Sequence, residues 1–172
     1  MKLKNIIFTF LFLFAIMLFS CEEIRKYPDV PEVEYKTHTF YTTTDALGNP
    51  IILVTLEIEV TDGDGDLGNP PIGQGVDPDS SDYDLYMTLY ERKNDDYIAP
   101  LDQDTILKYR FPYIEREGQN KLIRGTIEVD LEFKKIKYDT IAYSFYIYDR
   151  EMHKSNVDTT EDIIFTGLEI EN

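Results

Sequence analysis

Three aspartates stand at alternate positions, Asp62, Asp64 and Asp66, in the run Thr61-Asp62-Gly63-Asp64-Gly65-Asp66-Leu67-Gly68. Carboxylates in that rhythm suit one hard cation. Calcium takes six to eight oxygens at about 2.3–2.6 Å, and interposed glycines permit the positive-φ turns that make those oxygens converge. Without an ion, clustered carboxylates repel one another. Asp77, Asp79, Asp82 and Asp84 follow nearby. Asp149 is the more attractive partner from a distance, because it ends an alternating apolar run and opens the loop Asp149-Arg150-Glu151-Met152-His153-Lys154-Ser155-Asn156. The expected metal set is therefore Asp62, Asp64, Asp66 and Asp149, with calcium as the cofactor. The competing reading is a plain acidic turn, since Asp and Gly are strong turn formers.

Other groups offer less chemistry. His38 and His153 are the only histidines. His153 and Ser155 with an aspartate hold the atoms of a hydrolytic triad, but no nucleophile elbow or oxyanion signature accompanies them. Paired carboxylates of the glycosidase kind are expected by chance in so acidic a chain. No catalytic residue is assigned, and a non-enzymatic protein is expected. Thirteen tyrosines and no tryptophan are present. Tyr86, Tyr90, Tyr146 and Tyr148 share outward strand positions and form a candidate surface for protein or glycan; ordinary cross-strand packing is the plainer account.

The elements that must position these groups are strands. Ile52, Val54, Leu56, Ile58 and Val60 alternate with Leu53, Thr55, Glu57, Glu59 and Thr61, the period of a half-buried strand. Comparable alternation runs through 83–91, 127–133 and 140–149; 35–43, rich in Thr, Tyr and Phe, suits an edge strand, 163–170 is the last strand, and 105–114 is a further strand interrupted by Pro112. Residues 94–104 read as a turn region. About seven short strands without helical periodicity predict an all-β antiparallel sandwich over 34–172. Residues 22–33 hold Pro28 and Pro31 and read as an extended tether.

Ahead of the tether, Lys2 and Lys4 precede the apolar stretch Ile6–Phe19, and Leu18-Phe19-Ser20-Cys21 closes it with the only cysteine. The stretch is short for a transmembrane helix. This arrangement resembles the lipobox of bacterial lipoproteins. The resemblance implies a signal peptide over 1–20, cleavage before Cys21, a lipid on Cys21 and a lipidated tether over 21–33. Glu22 and Glu23 resemble export signals of Bacteroidetes surface lipoproteins, so the outer membrane is the expected location, surface-exposed or periplasm-facing. Loss of Lys2 and Lys4 takes the net charge from −16 to −18. So acidic a body argues against nucleic acid, whose phosphates need Lys and Arg. With Cys21 acylated, neither a disulfide nor a sulfur ligand for metal is left.

Three further resemblances bear on the fold and site. Asp62–Asp66 is similar to the first half of an EF-hand loop, but Leu67 and Gly73 replace the glycine and glutamate that family needs. Asp149-Arg150-Glu151 resembles a calcium-site stretch of cadherin-like domains. Asp139-Thr140-Ile141-Ala142-Tyr143-Ser144-Phe145 resembles strand F of immunoglobulin domains, with Phe145 where a cysteine would stand, and implies an immunoglobulin-like sandwich. Taken together, the lipobox, the Asp-Gly run and the Tyr148-Asp149-Arg150…Lys154-Ser155-Asn156 segment resemble small Bacteroidetes lipoproteins with one such domain. That resemblance carries no catalytic residues over, and the expected function is a non-enzymatic, lipid-anchored envelope module for binding or assembly. The alternative is an accessory lipoprotein that captures carbohydrate for a nutrient-uptake system.

Overall fold

The structure, a computed structural model, describes residues 27–70, 83–100, 105–114, 116, 118 and 121–167. Cys21, Asp77, Asp79, Asp82 and the end of the strand expected at 163–170 lie outside the described residues. Among the described residues nine strands follow in chain order: β1 (Glu32–Thr44), β2 (Pro50–Asp62), β3 (Leu85–Lys93), β4 (Asp96–Ile98), β5 (Ile106–Tyr109), β6 (Ile123–Phe133), β7 (Thr140–Ile147), β8 (Asp158–Thr159) and β9 (Ile163–Ile164). Among the described residues no helix is long and apolar enough to cross a membrane.

The strands form two antiparallel sheets, and the molecule is an all-β sandwich. One sheet has the order β1-β2-β6. In the other, β3 and β7 pair centrally, β4 and β5 share the outer edge of β3, and β8 and β9 share that of β7. Alternation decides which side chains fill the space between them. Val54, Leu56 and Ile58 of β2 are fully buried, whereas Thr55, Glu57 and Glu59 are half-buried. Leu85, Met87, Phe145 and Ile147 meet them from the second sheet, all fully buried. Phe145 therefore occupies the core position expected of it, and Tyr143 is buried two residues earlier.

Several elements differ from expectation: the strand expected at 105–114 is confined to β5, the one expected at 163–170 stops at Ile164 before a turn at 166–167, and β8 was not expected. The 94–104 turn region contains β4, reached by a tight reversal with Asn94 at φ 50° and Asp95 at φ 68°. Both central residues in the left-handed region suit the right-handed twist of a hairpin. Three paired residues are too few to show alternation. At the other end, β1 begins at Glu32, inside the expected tether, and Val33 is buried. Prolines at 28 and 31 masked that strand start in the sequence.

The free edge of β1 is closed by side chains instead of a strand. Val33 N–H donates to Asn156 Oδ1 at 2.9 Å, and Asn156 Nδ2 donates back to the Val33 carbonyl at 2.8 Å. Tyr35 N–H donates to Asp158 Oδ2 at 2.6 Å. Such capping protects an edge that would otherwise recruit other strands. It also ties the start of β1 to the segment following β7, beside the aspartate loop.

Candidate metal centre

Asp62 is the last residue of β2, paired opposite Ile123 of β6, and is fully buried. Its strand position aims it inward at the end of the sandwich. The chain then turns through Gly63 and Gly65, bringing Asp64 and Asp66 back towards it. One carboxylate oxygen from each of Asp62, Asp64 and Asp66 lies within 4.8 Å of the others. Asp62 Oδ2 accepts the Asp66 N–H at 2.9 Å, and Asp66 Oδ2 accepts the Glu151 N–H at 3.1 Å. By contrast, Asp62 Oδ1, Asp64 Oδ1 and Asp66 Oδ1 are buried and accept no hydrogen bond. A buried acceptor left unsatisfied costs about 1–3 kcal/mol, more when charged. A proton or a cation among the three removes that penalty.

Electrostatics agree with the geometry. Burial first, and then the Asp64 charge, push the Asp62 carboxyl up to about 7. Asp66 is raised by burial, then by Asp149 and Asp64. Six to eight oxygens suit calcium. The three aspartates supply the start of such a shell, and the all-oxygen character of the converging set favours a hard ion over zinc or copper.

Distant segments hold the loop in this shape. Gly63 N–H donates to the Pro28 carbonyl at 3.0 Å, so the chain ahead of β1 is laid against the loop. Gly65 has φ +69°, and a Cβ there would stand 1.8 Å from the Lys121 carbonyl oxygen. Arg150 Nη1 donates to the Leu67 and Gly68 carbonyls at 2.9 and 3.0 Å, and its guanidinium lies 4.8 Å from the centre of the Tyr113 ring. Arg150 N–H reaches the Asp66 carbonyl at 3.2 Å.

Asp149 is buried beside Asp66, near enough to raise it, but it is not one of the three convergent carboxylates. Its Oδ1 accepts the His153 N–H at 2.7 Å, and its Oδ2 lies 2.9 Å from His153 Nδ1. That hydrogen bond, with the Asp149 charge behind it, raises the His153 pKa. The Asp149-Arg150-Glu151 stretch thus meets the aspartate loop mainly through backbone N–H groups and the Arg150 guanidinium. Asp84, also buried, receives Asn69 Nδ2 at 2.9 Å and Phe111 N–H at 2.7 Å on its two oxygens. Ser155 Oγ accepts the Ile147 N–H at 2.9 Å and donates to the Asn156 carbonyl at 2.7 Å, so its hydroxyl serves the backbone. Pro28, Lys121, Arg150 and His153 were not assigned from the sequence. Arg150 and His153 were noted only within the 149–156 loop, and the contacts of all four with the aspartate loop or with Asp149 arise only once the strands have paired.

The tyrosines fall into a cluster and one outlier. Tyr86 and Tyr146 are paired across β3 and β7 and stacked at 5.3 Å with planes 8° apart. Tyr148 meets both edge-on at 5.8 and 5.7 Å. Lys154 Nζ stands 3.7 Å from the centre of the Tyr146 ring. Tyr90 lies farther along β3, opposite Ala142. A separate groove of about 560 Å³ opens between Tyr109–Pro112 and residues 126–130 of β6, with Leu85 among its lining residues.

The pH response of the loop has a definite sign. A folded-state proton on Asp62 that persists to about 7, against 3.8 for an ordinary aspartate, favours the native state. That contribution is complete below about 4 and is lost as pH rises to about 7. A metal ion must displace the same proton, so its stabilisation grows over that interval. Melts of metal-free and calcium-loaded protein at pH 5, 6, 7 and 8 should therefore diverge as pH rises. A calcium increment independent of pH would contradict a protonated Asp62.

Scans of protein-family models, curated proteins and solved structures return no match to this chain.

Proposed function

We propose that the chain is a lipid-anchored envelope lipoprotein whose sandwich is a non-enzymatic binding or structural module, with loop 62–68 ordered by a calcium ion. The observation that carries the metal reading is the set of three buried, unpartnered oxygens on Asp62, Asp64 and Asp66. An acidic turn in water would expose its carboxylates; here the fold buries one oxygen of each and brings the three carboxylates together. The anchor reading rests on Leu18-Phe19-Ser20-Cys21. A lipid on Cys21 would hold the module at the outer membrane, surface-exposed or periplasm-facing, through two or more acyl chains.

The ring arrangement favours structural packing for the tyrosines over glycan capture. Tyr146 is stacked on Tyr86 and carries Lys154 over its ring, which leaves little of its face for a sugar. The Ser155 hydroxyl is held by the Ile147 N–H and the Asn156 carbonyl and not by His153, as a nucleophile would be.

The anchor is tested by Cys21→Ser. The variant should leave the membrane fraction and appear in the soluble one, with labelled fatty acid no longer incorporated. Retention in membranes would mean an uncleaved helix holds the protein.

A further inference from the structure

The described chain starts at the aspartate-loop end of the sandwich. Gly63 N–H binds the Pro28 carbonyl, and a Cβ on Gly63 would come within 2.5 Å of the Tyr27 carbonyl oxygen. From there β1 runs away from this pole, since Glu32 pairs with Thr61 and Thr44 with Pro50 at the far end. Six residue steps separate Cys21 from Tyr27. Fully extended, they span at most about 20 Å. The body is longer than that leash: thirteen residues of β2 at about 3.3 Å each give roughly 40 Å.

The surface at this pole is of mixed character. Met152 is 56 % exposed at the tip of the 149–153 loop and is held at φ 66°, an uncommon conformation for a residue with a side chain. Tyr113, 44 % exposed, packs its ring on Arg150, two residues before Met152. Arg116 and Lys121 flank Gly65, and both are exposed. Two protruding apolar groups with cations beside them suit a headgroup layer, where apolar tips enter the interface and Lys or Arg meets phosphate. The aspartate loop and the exposed Glu151 stand at this pole too, so contact with anionic lipid depends on Arg116 and Lys121 offsetting them.

We propose that this pole faces and docks on the bilayer that anchors Cys21, with Met152 and Tyr113 entering the headgroup layer of phosphate-bearing lipids. The inference rests on the anchor half of the function proposed above and not on the metal. It leaves the opposite pole, with Tyr41, Leu47 and Tyr97 exposed, pointing away from the membrane.

The chain contains no tryptophan, so one introduced residue is the only such emitter. Acylated full-length protein carrying Met152→Trp, Tyr113→Trp or Leu47→Trp is reconstituted into vesicles of phosphatidylethanolamine and phosphatidylglycerol with brominated acyl chains. Quenching on the order of twofold is expected for Met152→Trp and Tyr113→Trp, with little for Leu47→Trp, given apolar groups buried about 5–10 Å into the interface. The Tyr113→Trp variant keeps the test available if the strained 152 position does not tolerate the larger ring. Vesicle flotation separates the two claims. Protein that does not float overturns the anchor and this inference together. Protein that floats with no quenching at either pole-facing position, or with equal quenching at Leu47→Trp, overturns this inference alone. Shielding of the 152 position that follows protein density and not brominated lipid would assign the surface to a second copy, and would overturn it too.

Discussion

Calcium at a hundred times its dissociation constant is expected to stabilise the domain by about 2.7 kcal/mol. For a chain of this size that corresponds to a rise in melting temperature of roughly 5–10 °C. The increment comes from the three oxygens that the fold buries without partners on Asp62, Asp64 and Asp66. Asp64→Ala should separate this account from an acidic turn. In metal-free protein the substitution removes a charge that pushes Asp62 up, so stability should hold or rise slightly. In calcium the same variant should lose most of the increment, because one of three converging carboxylates is gone. The two effects have opposite signs in one protein, and a general loss of folding cannot imitate them. Scanning calorimetry with calcium and after chelation reads both. A melting temperature indifferent to calcium in the parent protein would remove the ion from the loop.

Gly65→Ala is expected to destabilise the domain by at least about 3 kcal/mol, the range of substitutions that force a clash in a packed site. Two effects add. The residue sits at φ +69°, where a side chain is disfavoured by roughly 1–2 kcal/mol. The new methyl would also stand 1.8 Å from the Lys121 carbonyl oxygen, so loop and 121 segment must part. Gly48→Ala is the matched control. Its φ is +85°, yet nothing lies within 4 Å of the added carbon, so only the backbone term of about 1–2 kcal/mol applies. Denaturant unfolding of both variants measures the difference. Equal losses would show that the 121 segment is not pressed against the loop. Calcium affinity should fall in Gly65→Ala and stay unchanged in Gly48→Ala, since the turn at Gly48 lies at the other end of β2.

Strands with a buried face were legible because alternation is a local property. Ile52 to Val60 declares a core face from side-chain type alone, and the structure buries every alternate residue of it. Ile141 to Ile147 behaves likewise. Elements whose identity comes from pairing were not legible. β4 is three exposed residues, β8 is two, and the start of β1 is defined by Thr61 opposite and by Asn156 alongside. Such segments carry no pattern of their own.

The candidate site divides in the same manner. Asp62, Asp64 and Asp66 are neighbours in the chain, and glycine between them allows convergence before any tertiary contact exists. Amino-acid order by itself therefore determined the all-β class, the core faces and which three carboxylates could gather. Only the tertiary structure decided that those carboxylates are drawn out of water, that Asp149 turns its oxygens to His153, and that Arg150 and the Pro28 carbonyl clamp the loop. The physical reason is range. Periodicity and turn chemistry act over a few residues, whereas burial, desolvation and contacts between segments more than eighty residues apart exist only after the two sheets have closed on their core.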